Sequence, residues 1–358
     1  MCASVLSVSS PIIADLTTLR LGGPAREVIE TTTTEAMEEA LTRADDAGDA
    51  VLVVGGGSNL VVADEGFDGV VVRIGSDTVE FGTDDDRPFV TADAGVTWDA
   101  LVARTIAEGF GGLECLSGIP GSTGATPVQN VGAYGVEIAD ALRAVEIYDR
   151  AARSLVWHEP RDLDLRYRHS NLKFRDDRIV TRVSLWLRPG GVSAPLTYRE
   201  LARELRRDDG QTAAADDVRE AVLRLRRSKG MVLDADDPDT YSAGSFFTNP
   251  IVSAREIAAV IAQIAVVVGP EVVIPQFASG EDTKLSAGWL IERAGFTKGY
   301  PGPDAPVRLS TKHTLALTNR GSATTADLLA LAREVRDGVH ARFGVALTPE
   351  PVFVNCRL

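Results

Sequence analysis

Two glycine-rich segments hold the residues best suited to chemistry in this sequence. The first, Gly55-Gly56-Gly57-Ser58-Asn59, directly follows the apolar run Val51–Val54. Consecutive glycines let main-chain N–H groups approach an anion closely, as diphosphate binding requires. The run is not G-x-G-x-x-G and no P-loop lysine follows it, so the two commonest nucleotide fingerprints are excluded. Taken alone, it serves equally well as a tight turn. The second segment is longer: Gly118-Ile119-Pro120-Gly121-Ser122-Thr123-Gly124-Ala125-Thr126-Pro127-Val128-Gln129-Asn130-Val131-Gly132-Ala133-Tyr134-Gly135. It packs five glycines with Ser, Thr, Gln and Asn into 18 residues. A loop this long with so little apolar content is uncommon in a compact domain unless it wraps a ligand. Two such loops on neighbouring elements suit a large cofactor with a diphosphate at its middle.

These loops need elements to hold them. Glu35 to Ala47 places Met37, Ala40, Leu41 and Ala44 at helical spacing behind a Thr34 cap, and Gly48 ends the helix. Val51–Val54 and Val70–Arg73 read as short buried strands, so the first ~60 residues past a loose N-terminus form an α/β unit. Phe89–Ala94 alternates as a strand, and Thr97 caps a helix running to Glu108. Leu142–Asp149 and Ile179–Arg188 are further strands. Pro189-Gly190-Gly191 then breaks the chain, and a domain boundary is expected there. Beyond it, Asp217-x-x-Glu220, Ser253-x-x-Glu256 and Thr324-x-x-Asp327 read as capping boxes opening three helices. Leu315–Leu317 and Val352–Val354 read as strands. The acidic stretches Asp84–Asp86 and Asp234–Asp239 read as solvated loops.

Composition narrows the function. The chain has 358 residues, 51 acidic against 37 basic, for a formal charge of −14. A nucleic-acid binder needs the opposite balance to neutralise phosphates, so no nucleic-acid partner is expected, although local basic pockets remain open to small phosphorylated ligands. The cysteines Cys2, Cys115 and Cys356 are odd in number and far apart, which argues against a disulfide framework. Together with four histidines they show no zinc-ligand spacing, so no metal is expected. The first positive residue is Arg20, which argues against a secretory signal. The longest apolar run, Ile257 to Val268, contains Gln263 and is too short to span a bilayer. A cytoplasmic protein with no membrane insertion is the simplest expectation, and a monomer is expected.

Gly55–Asn59 and Gly118–Gly135 together resemble the flavin-binding half of the UDP-N-acetylenolpyruvoylglucosamine reductase family, type I. The resemblance extends through Tyr167-Arg168-His169-Ser170, Ala243-Gly244-Ser245-Phe246-Phe247-Thr248-Asn249-Pro250, Lys284-Leu285-Ser286-Ala287-Gly288-Trp289-Leu290-Ile291-Glu292 and Leu347-Thr348-Pro349-Glu350. These occur in the family's order, from about residue 17 to residue 354. The resemblance implies an α+β fold: a two-lobed FAD-binding module (PCMH/vanillyl-alcohol-oxidase-type) followed by an α/β substrate-binding domain. Its expected parts are FAD lobes at 17–73 and 74–190, a UDP-sugar domain at 200–345, and a terminal strand at 346–358 returning to the active site. It implies FAD and NADPH as cofactors and UDP-N-acetylglucosamine enolpyruvate as substrate, reduced to UDP-N-acetylmuramate for peptidoglycan.

In that chemistry, hydride passes from reduced flavin N5 to C3 of the enol ether, and negative charge on C2 spreads into the neighbouring carboxylate. A charge developing there calls for fixed cationic or hydrogen-bonding groups, and C2 then needs an acid. Arg168 matches the family's catalytic arginine, whose fork suits a carboxylate. Ser245 matches the proton donor to C2, and Glu350 the glutamate on the enolate side. Taken singly, each reads as a surface or turn residue; it is their joint occurrence inside matching motifs that assigns them. By the same resemblance, FAD contacts fall on Gly55, Gly56, Gly57, Ser58, Asn59, Gly118, Ile119, Pro120, Gly121, Ser122, Gly124, Ala125, Gln129, Asn130, Gly132, Ala133 and Tyr134. Substrate contacts fall on Tyr167, Tyr198, Lys229, Asn249 and His313. Around His313 the pattern departs, since Thr311-Lys312-His313 stands where some members carry glutamines. Two other functions fit the flavin loops: an FAD oxidase of another kind, and a nucleotide-sugar binder without chemistry. Neither loop carries a His or Cys to tether flavin, and the retained Arg168, Ser245 and Glu350 argue against the second.

Overall fold

Short apolar runs punctuated by glycines build a four-stranded mixed sheet near the start of the chain. In spatial order its strands are Leu6–Ser9, Ala25–Thr31, Phe67–Ile74 and Val51–Val54, the first pair antiparallel and the others parallel. The computed structural model describes residues 6–9 and 11–358, so Cys2 lies outside the described residues. Within the N-terminal stretch expected to be loose, Leu6–Ser9 pairs with residues 27–30, while residues 1–5 lie outside the described residues. Helix α1 (Thr34–Ala47) buries Met37, Ala40, Leu41 and Ala44 against Ile29, Val70 and Val72. Its cap is Thr33, one residue before the expected Thr34. Thr33 holds the extended backbone a cap needs, and its hydroxyl accepts from Ala36 N–H at 3.1 Å.

A second, antiparallel sheet follows, in the order Ser154–His158, Leu142–Asp149, Arg178–Trp186, Arg87–Asp93 and Val79–Asp84. Against it pack α2 (Trp98–Ala107), the short α3 (Ile138–Ala141), α4 (Arg199–Glu204) and α5 (Ala215–Ser228). Both sheets belong to one compact unit, made of the described residues up to Ile12, Pro24–Gly57 and Phe67–Val232. The unit therefore does not end at 189–191 as the sequence suggests. Pro189-Gly190-Gly191 is a stitched turn, with Gly191 N–H donating to Gly109 O at 2.7 Å and Arg188 N–H to Gly111 O at 2.8 Å. Helix α5 then buries Val218, Ala221 and Val222 in the same core as Trp98, Leu101 and Leu116. It begins at Ala215, capped by Ala214 without a side-chain bond, so the Asp217/Glu220 capping box does not form.

The second unit gathers three stretches, Ile13–Gly23, Ser58–Gly66 and Leu233–Leu358. Strand Leu60–Val62 runs parallel to the terminal strand Val352–Val354. A three-stranded sheet (Ile251–Val252, Asp282–Leu285, Gln276–Ser279) and a two-stranded one (Val307–Leu309, Leu317–Asn319) complete the sheet structure. The last strand lies two residues beyond the expected Leu315–Leu317. Helices α6 (Ile257–Val268), α7 (Ala287–Ala294) and α8 (Thr325–Phe343) enclose Phe246, Phe247, Leu290, Ile291, Leu328, Val335 and Val339. The Thr324/Asp327 box opens α8 as expected, each side chain accepting the other's N–H. Ser253 and Glu256 instead form a turn ahead of α6, with the main-chain N–H groups of Glu256 and Ile257 both bonded to Ser253 O at 3.0 Å. Among the described residues no helix is long and apolar enough to cross a membrane.

Candidate functional site

The two glycine-rich loops meet inside the first unit. Around Gly55, Gly56, Gly95, Thr97, Gly121 and Ser122 lies a cleft of about 260 Å³. The loops approach too closely for side chains. A Cβ on Gly55 would lie 2.1 Å from Ser122 Oγ, and one on Gly56 2.6 Å from Gly121 Cα. The far side is just as tight, for a Cβ on Gly124 would lie 2.4 Å from Ala94 Cβ. Glycines bring bare main chain to part of this cleft, as a diphosphate requires, and Glu30, Thr31, Thr32 and Arg73 line it as well. The helix α2 region stitches it together: Trp98 N–H donates to Gly121 O at 3.0 Å and Trp98 Nε1–H to Leu116 O at 2.9 Å.

Asp99, in the first turn of α2, fastens the entry to the long loop. Its carboxylate accepts Gly118 N–H at 2.6 Å and both Arg219 Nη groups at 2.6 and 2.9 Å. Burial alone would raise this carboxyl, but the bonds from Arg219 and Gly118 outweigh it and hold it below the ordinary value. Asp99 and Arg219 escaped the sequence reading. The signal for Asp99 was its place in a helix's first turn; Arg219 sits seven residues before Arg226, on the same helical face.

Within the loop, Asn130 works as a brace. It is buried at a φ of +46°, and its amide donates to Glu137 Oε2 at 2.7 Å and to Arg166 O at 3.1 Å. Its carbonyl oxygen accepts Ala139 N–H at 3.1 Å. Both amide hydrogens are thus engaged inside the protein. Gly132 and Ala133 form a small strand pair with Val136 and Glu137. Ile119, Pro120, Gln129 and Tyr134 are half-buried along the loop, and Ala125 is exposed. Arg168, at a φ of +55°, donates from Nη2 to Gly132 O at 2.7 Å and lies over the Tyr167 ring at 5.1 Å. Tyr134 meets Tyr198 edge-on with centroids 5.3 Å apart, and burial pushes its hydroxyl up to about 12. Tyr198 is exposed just ahead of α4, and Lys229 forms an ion pair with Glu200 at 2.6 Å. Cys115 is sealed in the core and pushed up to about 12 by burial, so it is an inert packing residue.

The second unit brings two of the three catalytic candidates side by side. Glu350 N–H donates to Phe246 O at 2.9 Å, which joins the residue after Ser245 to the Glu350 segment. Thr248 N–H to Thr348 O at 3.0 Å extends the contact. Ser58 and Asn59 belong to this unit, and Val352 N–H donates to Asn59 O at 2.9 Å. Asn249 uses its carbonyl oxygen to hold Ala287 N–H at the start of α7 at 2.9 Å. His313 follows Lys312, whose ammonium pairs with Asp237. The Asp234–Asp239 stretch is not wholly solvated. Asp239 is buried, accepting from Thr311 N–H and Arg320 at 3.0 Å each, and so pins the 310–320 hairpin.

Comparison with known proteins follows this division. The sequence profile of the UDP-N-acetylenolpyruvoylglucosamine reductase C-terminal domain matches residues 236–354, and that of an FAD-binding domain matches residues 25–156. The UDP-N-acetylenolpyruvoylglucosamine reductase of Nocardia farcinica is 60% identical over 346 residues, 97% of this chain and 89% of that protein. That of Saccharopolyspora erythraea is 59% identical over 348 residues, 97% of this chain and 95% of that protein. The crystal structure of the Thermus caldophilus reductase aligns with a TM-score of 0.65 at 28% identity, covering 99% of this chain and all of that one. With the two glycine-rich loops meeting at a cleft inside the FAD-binding region and relatives of this identity along nearly its whole length, the chain belongs to the UDP-N-acetylenolpyruvoylglucosamine reductase family.

Proposed function

We propose that Arg168, Ser245 and Glu350 are the catalytic groups of this FAD-dependent oxidoreductase, which uses NADPH to reduce the enolpyruvyl group of UDP-N-acetylglucosamine enolpyruvate in peptidoglycan synthesis. Bound FAD would supply the two-electron chemistry between NADPH and the enol ether. The main chain of Gly55, Gly56, Gly121 and Ser122 would hold its diphosphate. Reduction of the enol ether puts negative charge on C2 and its carboxylate. The Arg168 guanidinium answers that charge, already drawn to main-chain carbonyls in its present setting. Ser245 delivers the proton to C2, and Glu350, beside it in the chain's packing, supports the enolate side as an acid or through water.

Tyr198, Lys229 and Asn249 bind the UDP-sugar. Lys229 is partnered only by an ion pair near the surface, and exchanging Glu200 for a phosphate costs little because exposed pairs contribute about 0–1 kcal/mol. Tyr167 and His313 complete the substrate set. The enzyme would act as a monomer in the cytoplasm, where its nucleotide substrates are made.

The observation that carries this reading is the main-chain bond that sets the Ser245 segment against Glu350. The test is optical. NADPH should bleach the yellow protein, and the enolpyruvyl UDP-sugar should restore its colour. A protein bleached by NADPH but indifferent to that sugar would be a different flavin enzyme.

A further inference from the structure

The antiparallel sheet of the first unit guards its two edges differently. One edge strand, Val79–Asp84, carries Glu80 and Asp84, paired with Arg182 at 2.6 Å and Arg143 at 2.7 Å. Charges of this kind keep other chains from pairing with an edge. The opposite edge strand is Ser154–His158, and its sequence Ser-Leu-Val-Trp-His holds no carboxylate, lysine or arginine. Its apolar side chains stand in solvent, Leu155 at 40%, Val156 at 48% and Trp157 at 43% exposure. One side of this strand pairs with residues 145–149. Among the described residues, no main-chain bond outside that ladder reaches residues 154–158. Every second N–H and C=O of the strand is therefore turned outward to water, ready to pair.

The sequence around this edge is complementary to its own reverse. Laid antiparallel about a two-fold axis through Val156, two copies set Leu155 opposite Trp157, Ser154 opposite His158 and Arg153 opposite Glu159. Apolar surface meets apolar surface, and base meets acid at both ends. Opposed pairs of these two kinds are what stabilise a sheet from strand to strand. A slip of one residue either way removes both Arg153–Glu159 pairs and sets side chains on the wrong face. Leu155 and Trp157 share one face of the strand, so two copies would join four apolar side chains there. The end charges can change partners. Arg153 is paired with Asp46 and Glu159 with Arg161, and all four side chains are exposed, where ion pairs contribute little.

We infer that Ser154–His158 is a dimerisation edge, where a second copy of this chain adds antiparallel with Arg153 against Glu159 and continues the sheet across a two-fold axis. The contact uses the same patch on both copies, so it closes at two and does not grow into a fibre. A strand this short covers less surface than a stable complex needs, so the pairing is weak, with a Kd on the order of 100 µM. Each copy keeps its own Arg168, Ser245 and Glu350. The monomer thus remains the acting unit, and the pairing stands independently of the flavin chemistry.

Sedimentation equilibrium of the full chain tests this. Wild type should pass from monomer to dimer, and no further, between about 10 and about 500 µM. V156K places two ammonium groups on the axis, while R153E and E159R each oppose like charges. Each of the three should weaken association at least about tenfold. An equal mixture of R153E and E159R restores both charge pairs and should associate within about threefold of wild type. The mixture also answers for folding, since two misfolded chains would not rescue each other. A wild type that stays monomeric throughout overturns the inference. So does a dimer that V156K leaves intact, or a mixture that associates no better than its separate parts.

Discussion

The two units hold their catalytic candidates by different means. In the first, Arg168 is placed by its own guanidinium, which reaches back to Gly132 O on the loop it serves. In the second, Ser245 and Glu350 are placed by main-chain bonds, Phe246 N–H to Leu315 O at 2.7 Å and Glu350 N–H to Phe246 O at 2.9 Å. No side-chain replacement at 245 or 350 removes those bonds. Arg168 therefore carries a structural duty together with the catalytic role proposed for it, while main-chain bonds hold the serine and glutamate segments. The same contrast extends to the loops. The 118–135 segment depends on the side chains of Asp99 and Asn130, whereas Gly55 and Gly56 matter for the side chains they lack.

The largest effect should come from S245A. Reoxidation of the flavin by substrate should slow by about 10³-fold, within the usual range for losing a general acid. Reduction by NADPH should be unchanged and stability within about 0.5 kcal/mol of wild type. Stopped-flow measurement of the two half-reactions reads this directly, and equal loss in both would erase the contrast. R168M should lose at least ~10²-fold in the substrate half-reaction and also about 1.5–3 kcal/mol of stability, since a charged hydrogen bond to a carbonyl is removed. Urea unfolding supplies the second figure, and a stability equal to that of S245A would refute the double duty.

N130A sharpens the comparison from the structural side. Two donors and one acceptor vanish from a buried site, so stability should fall by about 2 kcal/mol and FAD affinity about tenfold. The turnover of the flavin-loaded fraction should remain within about threefold of wild type, because the side chain is not in the chemistry. Flavin fluorescence titration and turnover per bound flavin separate the two.

Glu114 makes a smaller, pH-dependent contribution. Burial raises its carboxyl above 4.5, against the pull of main-chain bonds such as that from Gly112. A raised folded value means the contribution is fully present below 4.5 and is lost as pH rises through the folded value. E114Q should therefore abolish that descending limb in chemical unfolding followed across this range; a wild-type curve that rises there would contradict the assignment. Y198F should have the smallest effect. The ring contact with Tyr134 persists, so substrate affinity should fall only a few-fold while kcat holds; an unchanged affinity would remove Tyr198 from the substrate site.

Local signals were readable where one stretch of chain satisfies itself. Helix α1 followed from its apolar spacing and Gly48, and α8 from a box whose two residues bond each other. Strand Val352–Val354 followed from its apolar run. The boxes at Asp217 and Ser253 failed because the surrounding packing started α5 earlier and α6 later than the local pattern suggested. The boundary at 189–191 failed for a similar reason. Proline and glycine mark a turn, but whether the chain then leaves depends on where the next apolar face is buried, and α5 returns to the Trp98 core.

The sequence alone determined the chemistry available: two glycine-rich segments able to meet an anion, and an arginine, a serine and a glutamate within motifs that resemble one enzyme family. Those are properties of residue types and their order. Tertiary structure decided which polar groups face inward. Asn130 and Asp239 became braces and the Nε of half-buried Arg226 was sealed because the elements packed around them removed water, and the cost of an unmet donor depends on that removal. No residue type records it in advance.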